Sequence, residues 1–154
     1  MSLEQRHLHL RGALGAPRTE LWNGREHLVV PVVALQESAI HAVNARNREF
    51  VPAAALTASA DKWNGHPLVV DHPVRNGKQI SAHDDDVLAR HGFGFIRRAA
   101  MNGKRLGMEA MIDPARLVAL KQDQLLADLR AGKSIEVSVG AFVECNDKRG
   151  THEG

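Results

Sequence analysis

Tyrosine is absent from this chain, and aromatic residues make up only 4% of its 154 residues. So few aromatic side chains leave little surface on which nucleic-acid bases can stack. Basic and acidic residues nearly balance, 20 against 18, and the densest basic clusters are only pairs, such as Arg97-Arg98. We therefore expect a protein that does not bind nucleic acid.

Cysteine and long apolar stretches are also scarce. Cys145 is the only cysteine, which excludes a disulfide framework and a multi-cysteine zinc site. Uncharged stretches such as 28–36 are far shorter than the ~18–20 apolar residues that a membrane helix needs. The N-terminus lacks the apolar core and cleavage pattern of a signal peptide. We expect an intracellular protein without membrane contact, bound metal or cofactor.

The overall composition is that of a globular domain, with 44% hydrophobic and 25% charged residues. The mixed charges, glycines and proline of residues 1–27 predict a poorly specified lead-in that ends in an edge strand. Residues 28–154 are expected to form one domain. Because the chain ends soon after a strand-like pattern, we expect it to be truncated at its C-terminus.

Strand patterns dominate this domain. Residues 27–35 are β-branched and apolar, and Pro31 among them predicts an edge or bulged strand because proline cannot donate to a ladder. Ser134 to Cys145 alternates apolar and polar residues, which predicts a long strand with one buried face. Cys145 falls on the apolar side, so we interpret it as a core residue.

Turn and helix signals complete the prediction. Asn102-Gly103 separates two strand-like runs and predicts a hairpin. Residues 51–60 predict a short helix, and Asp113-Pro114 predicts the start of a helix that continues to Leu129. The expected class is mainly β with some α, built on an antiparallel sheet that is closed or partly closed.

Two side chains are candidates for catalysis. In Asp71-His72-Pro73 a short apolar strand ends at a histidine, which can exchange a proton at neutral pH; the alternative is a histidine that only supports a turn. Ser138 lies in the alternating strand, on the side opposite the aliphatic row, with Ser134 as a rival of the same parity. A serine needs a base from elsewhere to become a nucleophile; the alternative is a solvent-facing serine.

A metal site is a weaker hypothesis. His83-Asp84-Asp85-Asp86 carries several oxygen and nitrogen ligands, and together with His72 it suggests a metal-dependent hydrolase. Adjacent carboxylates rarely converge on one ion, so a solvated loop or a helix N-terminus is the favoured interpretation of this segment. His66 and His91 flank turns and are interpreted as structural.

An ordered set of short motifs resembles the phage prohead proteases, which mature capsids. These motifs span about 28–144 and occur in the order Trp63-Asn64-Gly65-His66-Pro67, Val70-Asp71-His72-Pro73, Gly92-Phe93, Asp113-Pro114-Ala115-Arg116-Leu117 and Val137-Ser138-Val139-Gly140. The resemblance implies an antiparallel β-barrel of the herpesvirus assemblin-like type, surrounded by a few helices. It also implies a serine endopeptidase with His72 as the general base and Ser138 as the nucleophile.

The same resemblance implies where the protein acts, and it leaves the third catalytic residue undecided. Such proteases cleave scaffold or capsid precursor, and often themselves, inside the assembling prohead in the host cytoplasm, and they often self-associate. Their third polar residue follows the serine; here Glu144 is the candidate, six positions on and roughly 20 Å along a strand. The alternative function is a catalytically incompetent capsid-assembly or scaffold-associated protein with the same fold.

Overall fold

A computed structural model describes residues 3–11, 13–42, 45–144 and 149–151 of the chain. For the first and last strands, the structure describes mainly the backbone. The architecture is mixed α/β, with mostly antiparallel strands and a few helices, as the sequence predicts. Within the described ranges, no helix is long and apolar enough to cross a membrane.

The described part of the chain contains both strands and α-helices, numbered here in chain order. The strands are β1 (Leu3–Arg11), β2 (Ala13–Leu14), β3 (Arg18–Trp22), β4 (Arg25–Gln36), β5 (Ser38–Ile40), β6 (Glu49–Val51), β7 (Pro67–Val69), β8 (Val74–Arg75), β9 (Lys78–Gln79), β10 (Gly92–Asn102), β11 (Arg105–Ile112) and β12 (Glu136–Glu144). The α-helices are α1 (Ala53–Ser59), α2 (Asp85–His91), α3 (Pro114–Ala119) and α4 (Asp123–Arg130).

Six strands form the main antiparallel sheet. Its order is β2-β4-β11-β10-β7, and β3 also pairs with β4. The other strands form separate two-stranded ladders: β1 with β12, β5 with β6, and β8 with β9. Among the described strands, the pairings of the main sheet run from β2 to β7 and give no ladder between these two ends.

The strand that contains Pro31 is bulged, as predicted, but it is central and not an edge strand. Its pairing with β11 shifts between Val33 and Leu35, so one residue of β4 bulges out there. On the other side, β3 pairs as far as Val29 and β2 begins at Val32. Pro31 therefore lies where the neighbouring strand is interrupted, and its missing N–H costs no ladder bond on that side.

One face of the main sheet carries the core. Leu28 and Val30 of β4 lie beside alternate residues of the β10–β11 hairpin, and helices α3 and α4 cover them with Leu117, Leu126 and Leu129. The central strand β11 contributes the buried residues Leu106, Met108, Ala110 and Ile112. Burying such side chains contributes roughly 1.5–3 kcal/mol each, so this face holds the sheet and helices together.

The predicted turns and helices are largely confirmed, with one break. The Asn102-Gly103 hairpin joins β10 to β11, and Pro52 precedes the first turn of α1. The helix predicted from Asp113 to Leu129 is two helices, because the backbone between α3 and α4 turns at Lys121, whose φ is 58°. Gly132, at φ 68°, follows α4 as predicted.

Strands lie near both ends of the described chain. The region in which the sequence predicts a poorly specified lead-in contains the strands β1, β2 and β3, and β3 is the predicted edge strand, which pairs only with β4. The long C-terminal strand is confirmed as β12, and its ladder partner is β1. Cys145, predicted to be a core residue, lies outside the described residues.

Candidate functional site

His72 follows β7, the edge strand of the main sheet, but it lies three residues beyond the end of that strand, whereas the sequence predicts a strand that ends at the histidine. Strand β7 ends at Val69, and the backbone N–H of Val70 still donates to the carbonyl of His91 at 3.0 Å. The next two residues leave the sheet, and the carbonyl of Pro73 accepts a hydrogen bond from Ile80. The half-buried His72 is therefore fixed between an anchored strand and an anchored hairpin.

The residue before His72 has an unusual backbone conformation. Asp71 adopts φ 61°, in the left-handed region, although it is not glycine. Aspartate tolerates this region better than most residues, but such a conformation still needs surrounding structure to hold it, and such positions cluster at functional sites. The sharp change of direction at Asp71 carries His72 away from the strand edge.

Ser138 lies near the middle of β12. The ladder register pairs its Cα with that of His9 in β1, and Gly140 with His7. Glu144, at the end of the same strand, pairs with Leu3. The six positions between Ser138 and Glu144 correspond to about 20 Å along a regular strand.

The two predicted catalytic residues lie in or next to different ladders. His72 follows β7 of the main sheet, whereas Ser138 lies in the β1–β12 ladder. The side chains of Ser138 and Glu144 lie outside the described part of the structure, so their predicted roles stay predictions. Ser134, the rival serine, is exposed and precedes β12.

The structure brings together two other histidines that the sequence analysis interpreted separately. The Nδ1 atom of His66 lies 2.8 Å from the Nε2 atom of His83, and the ring of Trp63 stands edge-on to His66 at 5.8 Å. Burial lowers the pKa of His66, and the positive charge of His83 lowers it further. Because seventeen positions separate the two histidines, no local spacing pattern could predict this pair.

The acidic segment next to His83 begins helix α2, which confirms the favoured interpretation. The Asp84 carboxylate accepts hydrogen bonds from the backbone N–H groups of Asp86 and Val87 and is paired with Arg75. The hydrogen bond from Arg75 is the largest cause that lowers the pKa of Asp84. Asp86 pairs with Arg90 one helical turn later.

These partners disfavour the metal-dependent hydrolase. Since Asp84 and Asp86 are already engaged, they are poorly placed to converge on an ion. Across the described ranges, no group of three or more His, Cys, Asp or Glu side chains is arranged to hold a metal. The carboxylates of Asp84 and Asp86 therefore act in helix capping and ion pairing.

The face of the main sheet opposite the core carries a charged cluster. Arg97 of β10 contacts the carboxylates of Glu20 in β3 and Glu109 in β11, and Glu109 also pairs with Arg18 and Arg98. The Arg97 guanidinium lies 5.8 Å above the ring of Trp22, which in turn contacts Phe95. This charged cluster joins strands β3, β10 and β11 on the outer face of the sheet. Its charged members are Arg18, Glu20, Arg97, Arg98 and Glu109.

An open groove of about 460 Å³ lies beside this cluster. Gly107 and Gly15 lie along it, and Arg98 and Glu109 provide its charged lining. Gly107 leaves space because a Cβ there would have no atom closer than 3.9 Å. Arg98 has φ 53° at the irregularity in β10, which brings it to the groove.

Comparison of this chain with protein-family models, with curated proteins and with solved structures gives no match.

Proposed function

We propose that this chain is a serine endopeptidase of the phage prohead-protease type, which cleaves scaffold or capsid precursor in the assembling prohead of the host cytoplasm. The observation that carries the proposal is the position of His72. The left-handed Asp71 turns the chain after a short, anchored strand, and His72 follows this turn at the rim of the main sheet. This is the presentation that a general base at the rim of a sheet needs.

In this proposal His72 and Ser138 act as base and nucleophile. His72 takes the proton of the Ser138 hydroxyl while the oxygen attacks the carbonyl carbon of the scissile peptide. The protonated imidazole then gives that proton to the leaving amine as the C–N bond breaks. Water, deprotonated by His72, hydrolyses the acyl-enzyme and regenerates the serine.

The fold supports the same proposal at a coarser level. An antiparallel sheet with helices on one face fits the assemblin-like barrel that the motif order implies. The proposal therefore includes closure of these strands into a barrel, and self-association of the chain as in similar proteases. Substrate would be protein, with no metal or other cofactor in the reaction.

The residue that orients the base is proposed from two candidates. Glu144 follows Ser138 in the chain, as the resemblance implies, but by about 20 Å along the strand. His9 is the register partner of Ser138 on the neighbouring strand. Glu144→Gln and His9→Ala separate the two, because only the variant that removes the orienting group should slow cleavage of a protein substrate.

A serine-directed fluorophosphonate tests the nucleophile. We expect the intact protein to form one covalent adduct, which peptide mass spectrometry assigns to Ser138. Ser138→Ala should abolish the adduct, and Ser134→Ala, a serine of the same parity before the strand, should leave it unchanged. An adduct that persists in Ser138→Ala would refute the assignment.

The second candidate function is a catalytically incompetent assembly protein. It is favoured by one observation: the strand of Ser138 is paired with β1, whereas His72 follows a strand of the main sheet. In that case a folded protein acquires no adduct at Ser138, yet it still associates with scaffold or capsid precursor. The fluorophosphonate experiment therefore distinguishes the two functions.

A further inference from the structure

The ring nitrogens of His66 and His83, both potential metal ligands, are in direct contact. Their ring nitrogens lie 2.8 Å apart, and the ring planes are inclined at 61°. In the neutral pair one of these nitrogens donates its proton to the lone pair of the other, and once that proton moves to the far nitrogen of its own ring, both lone pairs face the space between the rings. Such convergence is what a chelating pair of histidines needs.

The backbone on each side of the pair is held by specific hydrogen bonds. His66 donates its N–H to the carbonyl of Trp63 at 3.1 Å, and its own carbonyl accepts the N–H of Ile96 at 2.8 Å. His83 donates its N–H to the Ser81 hydroxyl, directly before the N-cap of α2. Because both backbones are anchored, little conformational freedom would be lost when a ligand fixes the two rings.

The geometry is close to that of two ligands on one metal ion. Metal–nitrogen distances of about 2.0–2.1 Å place two neighbouring imidazole nitrogens roughly 2.9–3.4 Å apart. The observed separation needs to widen by only a few tenths of an ångström.

We propose that His66 and His83 form a two-histidine site for a first-row divalent cation that prefers imidazole, such as Zn²⁺, Ni²⁺ or Cu²⁺. Water would fill the remaining positions, since the described residues supply no third histidine, cysteine or carboxylate ligand. The bound ion would link the turn that enters β7 to the loop that enters α2. The site is independent of the proposed protease reaction.

Calorimetric titration of the full, untagged chain with Zn²⁺ tests the affinity. We expect saturable binding of one ion, and His66→Gln and His83→Gln should each weaken it at least tenfold. His91→Gln is the matched control, because His91 lies at the end of α2 and is not part of the pair. Equal affinity in all four proteins, or no saturable binding to the wild type, would overturn the proposal and leave a simple histidine–histidine hydrogen bond.

Fluorescence locates the ion. In Trp22→Phe, Trp63 is the only remaining tryptophan, and its ring lies 5.8 Å from that of His66. Cu²⁺ should quench this fluorescence with a saturable curve that His83→Gln shifts at least tenfold to higher concentration. Quenching that His83→Gln leaves unchanged would contradict the site. Because His66 and His83 are both exposed, both variants are expected to fold.

Discussion

Arg97 donates two hydrogen bonds to the carboxylate of Glu20, at 3.0 and 2.6 Å. The same guanidinium lies 3.3 Å from Glu109 through its Nε atom, and only 13% of either side chain is exposed in that second pair. Since Glu20 belongs to β3 and Arg97 to β10, the contact ties the N-terminal part of the chain to the far side of the sheet. Substitutions in this cluster should therefore change the free energy of unfolding.

Glu109→Gln removes the charge at the centre of this cluster. It leaves Arg18, Arg97 and Arg98 with one carboxylate fewer, so we expect a loss of about 1–3 kcal/mol in the free energy of unfolding. Urea denaturation measures it, with Glu26→Gln as the control on the exposed end of β4. Equal stability of the two variants would show that the cluster contributes little.

The same cluster predicts a dependence of stability on acid. Burial alone would raise the pKa of Glu109, but the hydrogen bond and charge of Arg18, with Arg97 and Arg98, outweigh it and lower the pKa below the ordinary 4.5. The unfolded state then binds more protons, so this stabilisation is complete above pH 4.5 and is lost as pH falls through the folded pKa. Urea midpoints between about pH 6 and 3 should fall less steeply in Glu109→Gln than in wild type. Parallel curves would contradict this.

Two glycines of one hairpin provide a matched pair. A Cβ at Gly94 would lie 2.1 Å from the carbonyl oxygen of Met111, whereas one at Gly107 would meet nothing closer than 3.9 Å. Gly94→Ala must displace the backbone of β11, so we expect a loss of about 3 kcal/mol or failure to fold. Gly107→Ala should change the unfolding free energy by less than about 0.5 kcal/mol. Thermal unfolding followed by circular dichroism compares them, and similar melting temperatures would contradict the strand packing.

Asp113 has two roles that different substitutions separate. Its carboxylate accepts the N–H of Ala115 as the cap of α3, and it pairs with Arg25 at 2.8 Å. Asp113→Ala removes both, with an expected loss of about 1–2 kcal/mol from the cap. Asp113→Asn keeps a capping oxygen, and since Arg25 is largely exposed, it should cost only about 0–1 kcal/mol. Guanidinium denaturation gives both values, and a larger loss in Asp113→Asn would reverse this assignment.

The elements that local chemistry specifies were predictable from the sequence. The Asn102-Gly103 turn, the proline before α1 and the existence of strand β12 each depend on neighbouring residues, and the structure confirms them. The position of β4 inside the sheet was not predictable, because it depends on the pairing of β3 with the residues before Pro31 and of β2 with the residues after it. The split between α3 and α4 depends on a single left-handed residue, Lys121, which carries no distinctive signal.

The candidate site also has features that the sequence could predict and features that it could not. A short strand before His72 could be inferred from the apolar residues that precede it, whereas the end of that strand at Val69 and the left-handed Asp71 could not. The pairing of His9 with Ser138, and the contact of His66 with His83, depend on tertiary structure that brings distant segments together. Sequence spacing alone contains no information on either.

The central claim is that His72 activates Ser138, and the rate of fluorophosphonate labelling at Ser138 tests it most directly. The account predicts that His72→Ala lowers the second-order rate constant at pH 7.5 by about 10²–10⁴-fold, because general-base catalysis contributes that much. His91→Ala, which removes a histidine near the same strand end, should label at the wild-type rate. A His72→Ala protein that labels as fast as wild type would contradict the account.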